Sequence, residues 1–170
     1  MVVQCSTYSA DSFLSVFDGK RFFDFAIDKY SFNTLLQDYL TTSYLDGILP
    51  GLVAKYGDDK SMSLNFRSSL APRSFLNLGQ VGAQVNYFLD FMVEDQVAVT
   101  LNVVNAKALV NATMDNFILK PKINTVRFEE ISVVTSEIGP VSGKELQYFL
   151  NTLFRMIIPF INGLVLADGI

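Results

Sequence analysis

Residues able to do covalent or metal chemistry are scarce in this chain, and their spacing argues against such chemistry. No histidine occurs among the 170 residues, so neither a Ser-His-Asp nor a Cys-His nucleophile can be assembled, and His-containing metal sites are excluded. Cys5 stands alone, which leaves no internal disulfide and no Cys-based metal site. Two acidic pairs, Asp58-Asp59 and Glu129-Glu130, fall in turn- or strand-like sequence. They read as solvated charge or a strand bulge rather than an acid/base dyad. Gly79-Gln80-Val81-Gly82 lacks the length, the lysine and the strand–helix context of a phosphate loop. Asn111-Ala112-Thr113 matches the glycosylation sequon, which gains meaning only in a secreted protein. The sequence predicts no catalytic residue, no metal ligand, no cofactor and no enzyme.

What remains is apolar side chains at regular spacing. Half the residues are hydrophobic, with 15 Phe, 7 Tyr and no Trp. Such a composition needs a large core or an apolar cavity. The net charge is −4 and the 13 basic residues are scattered, so the basic footprint of a nucleic-acid binder is absent. The most apolar run, Leu153 to Ala167, is interrupted by Arg155, Pro159 and Asn162. It falls short of the ~20 apolar residues that a bilayer-spanning helix requires. The first residues, Met1-Val2-Val3-Gln4-Cys5-Ser6, lack the basic and apolar regions of a signal peptide. Taken literally, that predicts an intracellular protein; the other reading is a fragment of a longer one.

The elements that must hold these stripes follow from periodicity. Residues 1–20 are left unassigned. Phe23, Phe25 and Ile27 alternate with Asp24 and Asp28, as in a strand. Ser31 is positioned as a helix N-cap, and Phe32, Leu35, Leu36, Tyr39 and Leu40 recur at helical spacing, predicting a short helix. Leu52, Val53 and Tyr56 predict a further turn or two of helix before Gly57. The period then drops to two. Met62, Leu64 and Phe66 form a strand that Pro72 is expected to close. Val85 to Val93 form the clearest strand, and Glu94-Asp95-Gln96 turn the chain into Val97 to Val103. Further strands are expected over Ala106 to Met114, Phe117 to Leu119 and Val126 to Val134. Turns this short imply an antiparallel meander.

The last helix opens with a capping box, Ser142-Gly143-Lys144-Glu145. Leu146, Phe149, Leu150, Leu153, Phe154, Ile157, Ile158 and Ile161 then give an unbroken apolar stripe, with Lys144, Gln147, Asn151 and Arg155 as a wet face. Running to about Ala167, it would span about 35 Å, with a bend expected at Pro159. The predicted fold class is α+β: a highly twisted antiparallel sheet, a half-barrel, wrapped around one long, bent C-terminal helix plus a shorter helix.

Ser136-Glu137-Ile138-Gly139-Pro140, then Glu145-Leu146-Gln147, Pro159, Asn162 and Gly169, resemble the C-terminal barrel of the bactericidal/permeability-increasing and lipopolysaccharide-binding protein family. Cholesteryl ester and phospholipid transfer proteins belong to the same group. Phe32-Asn33-Thr34 and Leu49-Pro50, followed by Val53-Ala54-Lys55-Tyr56, are similar to the family's earlier helices. The resemblance covers 21–170 and implies one lipid-binding-type barrel there. It implies a secreted, non-catalytic protein of innate-immunity type, a phospholipid-like lipid bound non-covalently in a tubular apolar pocket, and contact with a membrane surface. The resemblance implies an N-terminal barrel, with signal peptide, disulfide and basic tip, that is expected to be missing from this sequence, and a final strand expected beyond its last residues. The acidic balance favours lipid binding or transfer over lipopolysaccharide neutralisation. Positions matching the family's pocket are Phe32, Leu35, Leu36 and Tyr39 on the short helix and Leu150, Phe154, Ile157, Ile158 and Ile161 on the long one. The alternative is a structural half of a two-barrel protein, with a packed core and no ligand of its own.

Overall fold

A computed structural model describes residues 7–19, 21, 23–32, 35–77, 80–115 and 118–165. Six strands run through these residues: β1 (Phe25–Ile27), β2 (Met62–Asn77), β3 (Gln80–Val93), β4 (Gln96–Asp115), β5 (Ile118–Arg127) and β6 (Glu130–Ser136). They form one open antiparallel sheet in the order β1-β2-β3-β4-β5, with β6 also on β4. The expected α+β half-barrel with its long final helix is present. Among the described residues, no helix is long and apolar enough to cross a membrane.

β5 and β6 behave as one strand with a gap. Lys107 of β4 faces Arg127, while Val104 faces Glu130, so the register carries across Phe128 and Glu129. The predicted strand from Val126 to Val134 is therefore divided at its middle. Conversely, the strands expected over Val97–Val103 and Ala106–Met114 are a single β4, kinked at Asn105, whose φ is +60. Pro72 does not close β2 either. It lies inside the strand, between Leu70 and Arg73, where the register with β3 shifts, because a bulge needs no ladder hydrogen bond from that position.

Several irregularities fall near one level, while others lie at Phe91/Met92, Thr100/Leu101 and Leu109/Val110. The β2–β3 ladder shifts beside Ser68, the β3–β4 ladder between Val85 and Tyr87, and the β5–β6 gap lies at Phe128-Glu129. A transverse crease thus crosses the sheet. Bulges bend and twist the strands that carry them, and side-chain amides and carboxylates take over the missing rungs. The Asn86 side chain accepts from the Asn105 N–H at 2.7 Å, and Gln84 bonds the Asn105 amide. Asp24 accepts from the Ser68 N–H at 2.7 Å. Tyr87 lies on the same line against Phe25 and Phe66, and burial pushes its phenol well above the ordinary tyrosine range.

Among the described residues of the expected short helix over Phe32–Leu40, turns stand in place of helix; Asn33 and Thr34 lie outside them. Ser31 is no N-cap there: its hydroxyl donates to Asp28 Oδ1, and it accepts from the Asp28 N–H. Phe32 then takes a φ of +58, and turns occupy the residues from Leu35 toward Leu40. Helical residues follow in α2 (Thr42–Leu45) and α3 (Leu52–Tyr56), the latter ending at Gly57 as expected. Gly51, with a φ of +99, lies so close to Ile138 that a Cβ would sit 2.7 Å from its carbonyl oxygen. Lys55 Nζ reaches the Glu137 carbonyl at 2.8 Å and its carboxylate at 3.0 Å. Two sequence runs far apart in the chain are thereby joined at one end of the barrel.

The segment left unassigned over 1–20 contains α1 (Thr7–Gly19), lying along β2. Asp11 accepts from the Ser74 N–H, and Asp18 from the Ser68 hydroxyl at 2.9 Å, so carboxylates occupy an edge that β1 is too short to cover. The Ser74 backbone bond, then its side chain, holds the Asp11 carboxyl below the ordinary aspartate value, against a small opposing effect of burial. A depressed carboxyl contributes stability above the unfolded value that is lost as pH falls through the folded one. Asp11→Asn keeps an acceptor for Ser74 but does not titrate. Its stability is expected to fall less steeply than wild type below the ordinary aspartate range, as read by denaturant melts at stepped pH; equal slopes would remove this role.

Candidate functional site

The final helix, α4 (Gly143–Phe160), starts at Ser142, whose hydroxyl accepts from the Glu145 N–H. It continues after Pro159 as a π-helical turn, Ile161–Val165. Leu146, Phe149, Leu150, Leu153, Phe154 and Ile157 are buried against the concave face of the sheet. Phe154 meets Phe66 at 5.7 Å and Phe128 at 4.9 Å between ring centroids. The expected wet face holds only in part. Asn151 Oδ1 accepts from the Phe128 N–H at 3.0 Å, its Nδ2 donates to the Phe128 carbonyl, and Gln147 donates to the carbonyls of Phe128 and Glu129. Farther along, Asn162 Oδ1 accepts from the Ile123 N–H and its Nδ2 donates to the Ile123 carbonyl, both at 2.8 Å.

These fastenings are commensurate. Asn151 and Asn162 are eleven residues apart on a helix, about 16 Å at 1.5 Å each. Phe128 and Ile123 are five apart on a strand, about 16 Å at 3.3 Å each. The helix therefore runs antiparallel to β5 and covers its outer edge with side-chain amides.

Side-chain size changes across the crease. On one side the concave rows are large and sealed: Leu64–Phe91–Val99 and Phe66–Leu89–Leu101 are wholly buried. Beyond Tyr87 the rows become small. Ser74, Ala83, Ala108 and Val126 face one another across β2 to β5, all half-buried. The next row is Leu76, Val81, Val110 and Ile123, in which Leu76 is 61% and Val81 44% exposed. The result is an uncharged apolar trough that opens outward. Charged groups lie on the opposite face instead, where Asp90 accepts from Arg67 at 2.7 Å and from Thr100 at 2.7 Å.

The residues singled out from sequence are divided between the two ends. Leu36 and Leu150 are completely buried at the sealed end, with Phe32 and Leu35 packed on the same core. Tyr39 stacks edge-on against Tyr44 at 5.1 Å. Phe154 sits at the crease, and Ile157 is buried beyond it. Ile158 and Ile161 are half-buried, Ile161 packed against the core. Sequence reasoning missed Ala83, Ala108, Val81, Val110 and Ile123. The readable signal was alanine at Ala83, Ala106 and Ala108 in strands that otherwise place Leu, Phe or Val inward. Asn111 is exposed and lies opposite Lys122, on the outer face. Among the described residues, the rows of the trough offer apolar surface and no titrating group.

The sequence profile of the LBP / BPI / CETP family, C-terminal domain, matches residues 1–170. No curated protein sequence matches the chain. Among solved structures, the crystal structure of lipopolysaccharide binding protein is similar, with a TM-score of 0.66 and 19% identity. The match covers 91% of this chain and 35% of that one, so this chain spans about a third of its neighbour's length.

Proposed function

Because this chain belongs to the LBP / BPI / CETP family as a C-terminal domain, we propose that it is a non-catalytic lipid-binding module whose trough takes a phospholipid-like acyl chain. The family is one of secreted lipid-binding proteins, and the structurally similar lipopolysaccharide binding protein is named for a lipid ligand. The observation that carries this reading is the drop in side-chain size on one concave face. Large residues fill it up to Tyr87, and alanines with half-exposed valines line it beyond. Each CH₂ moved from water into such a surface gains about 0.8 kcal/mol, so a long chain binds without an ionic anchor. With a net charge of −4, the module suits a zwitterionic or neutral lipid better than polyanionic lipopolysaccharide. In a secreted protein, exposed Asn111 is open to a glycan.

Ala108→Phe tests the site. Its ring would project into the row Ser74–Ala83–Ala108–Val126. The variant is expected to keep the wild-type circular dichroism spectrum and to lose at least tenfold in affinity for a phosphatidylcholine carrying a fluorescent acyl chain. Undiminished binding would place any lipid elsewhere. Absence of binding by the wild type, with no lipid in native mass spectra, would favour a packed structural half-barrel.

A further inference from the structure

We propose that Asn162 latches a gate: the helical turn Ile161–Val165, hinged after Pro159, leaves Ile123 to admit an apolar chain to the trough and then closes over it. This rests on the lipid-binding reading of the trough. The helix is fastened unequally. Its first part is held by six buried apolar side chains and by Asn151 and Gln147 on Phe128 and Glu129. Past Phe160, the hydrogen bonds that tie it to the sheet among the described residues are the two between Asn162 and Ile123.

Between these parts the backbone is at its least regular. Pro159 has no N–H to give the Arg155 carbonyl, and the Ile161 N–H is shared between the carbonyls of Ile157 and Ile158. A π-turn then follows, a rare form found mostly as short insertions at functional sites. Gly163, in the same turn, has no neighbour within 4 Å of a notional Cβ. Ile123 belongs to the last concave row that β2, β3, β4 and β5 all share, with Leu76, Val81 and Val110, which puts the latch on the open side of the trough. An amide on a strand edge suits this role because water replaces its hydrogen bonds when it opens.

Stopped-flow transfer from phosphatidylcholine vesicles carrying a fluorescent-chain phosphatidylcholine tests the gate. Asn162→Ala is expected to speed both uptake and release about 5- to 30-fold, the factor that losing two net hydrogen bonds gives, with equilibrium affinity changed less than twofold. Pro159→Ala, which restores the bond to Arg155, is expected to slow both rates. Amide exchange gives a second readout: Ile123 should lose protection in Asn162→Ala while Phe128 keeps its own. Lipid transfer at wild-type rates in both variants would overturn the gate and leave lipid binding standing. No transfer to the wild type at any vesicle concentration would overturn both.

Discussion

Phe154→Ala is expected to lower the unfolding free energy by about 3–5 kcal/mol, the range for removing a buried phenyl ring. Phe154 is 6% exposed and meets rings from two strands, Phe66 and Phe128. Phe66 in turn stacks on Phe25 at 4.6 Å and meets Tyr87 at 5.5 Å. The ring thus joins α4 to β1, β2, β3 and the β5–β6 gap at the level where the β2–β3 and β3–β4 ladders shift register. The rings around the void, Phe66 and Phe128, are themselves buried, so they have little room to move into it. Tyr148, 76% exposed on the same helix, is the control, and its alanine variant should shift stability by no more than about 0.5 kcal/mol. Urea melts decide it: a displaced midpoint at constant slope for Phe154→Ala alone fits, and equal midpoints for the two variants would refute the keystone role.

Asn151→Leu is the second large effect, with an expected loss of about 1–3 kcal/mol. The Phe128 N–H would have no acceptor in place of Asn151 Oδ1, while its carbonyl would keep only the Gln147 amide. Hydrophobicity does not compensate, since the groups uncovered are a peptide donor and acceptor at a half-buried edge. Asn151→Asp separates the two contributions. It preserves an acceptor for Phe128 N–H but sets a carboxylate oxygen against the carbonyls of Phe128 and Gln147, which the native amide satisfies as a donor. Both variants should melt earlier, but only Asn151→Leu should expose the Phe128 amide to exchange, since the aspartate still accepts from it. Wild-type exchange at Phe128 in Asn151→Leu would show that Asn151 is not its partner.

The fold was legible wherever one physical signal dominated. The stripe from Leu146 to Ile157 and the alternations of Leu64–Phe66 and Val85–Val93 each describe a surface buried on one side, and the structure buries those positions. Reading failed where side chains compete for backbone groups. Ser31 looked like a cap, yet Asp28 three residues earlier binds its N–H and hydroxyl. Gln147 and Asn151 looked solvated, because a polar residue that replaces a ladder bond cannot be told from one that faces water. Pro72 looked terminal for want of knowing that β2 bulges there. The trough was illegible for a different reason. Helical stripes report that an apolar face is covered, and whether a second element or a ligand covers it depends on residues like Ala83 and Ala108, whose meaning is set by their cross-strand partners.

The crease has a mechanical consequence. A continuous sheet resists bending across its strands because every rung must stretch together; one whose rungs are absent at a single level behaves as two stiff plates with a fold line. Here that line runs from Ser68 through Tyr87 and Asn105 to Phe128, with polar side chains spanning it. The sealed plate, welded by Gly51 and Lys55 to the Ile138 loop, is the fixed frame. Further register shifts at Phe91/Met92, Thr100/Leu101 and Leu109/Val110 bend the plates locally, and this line is where the outer plate is expected to flex most as a leaf.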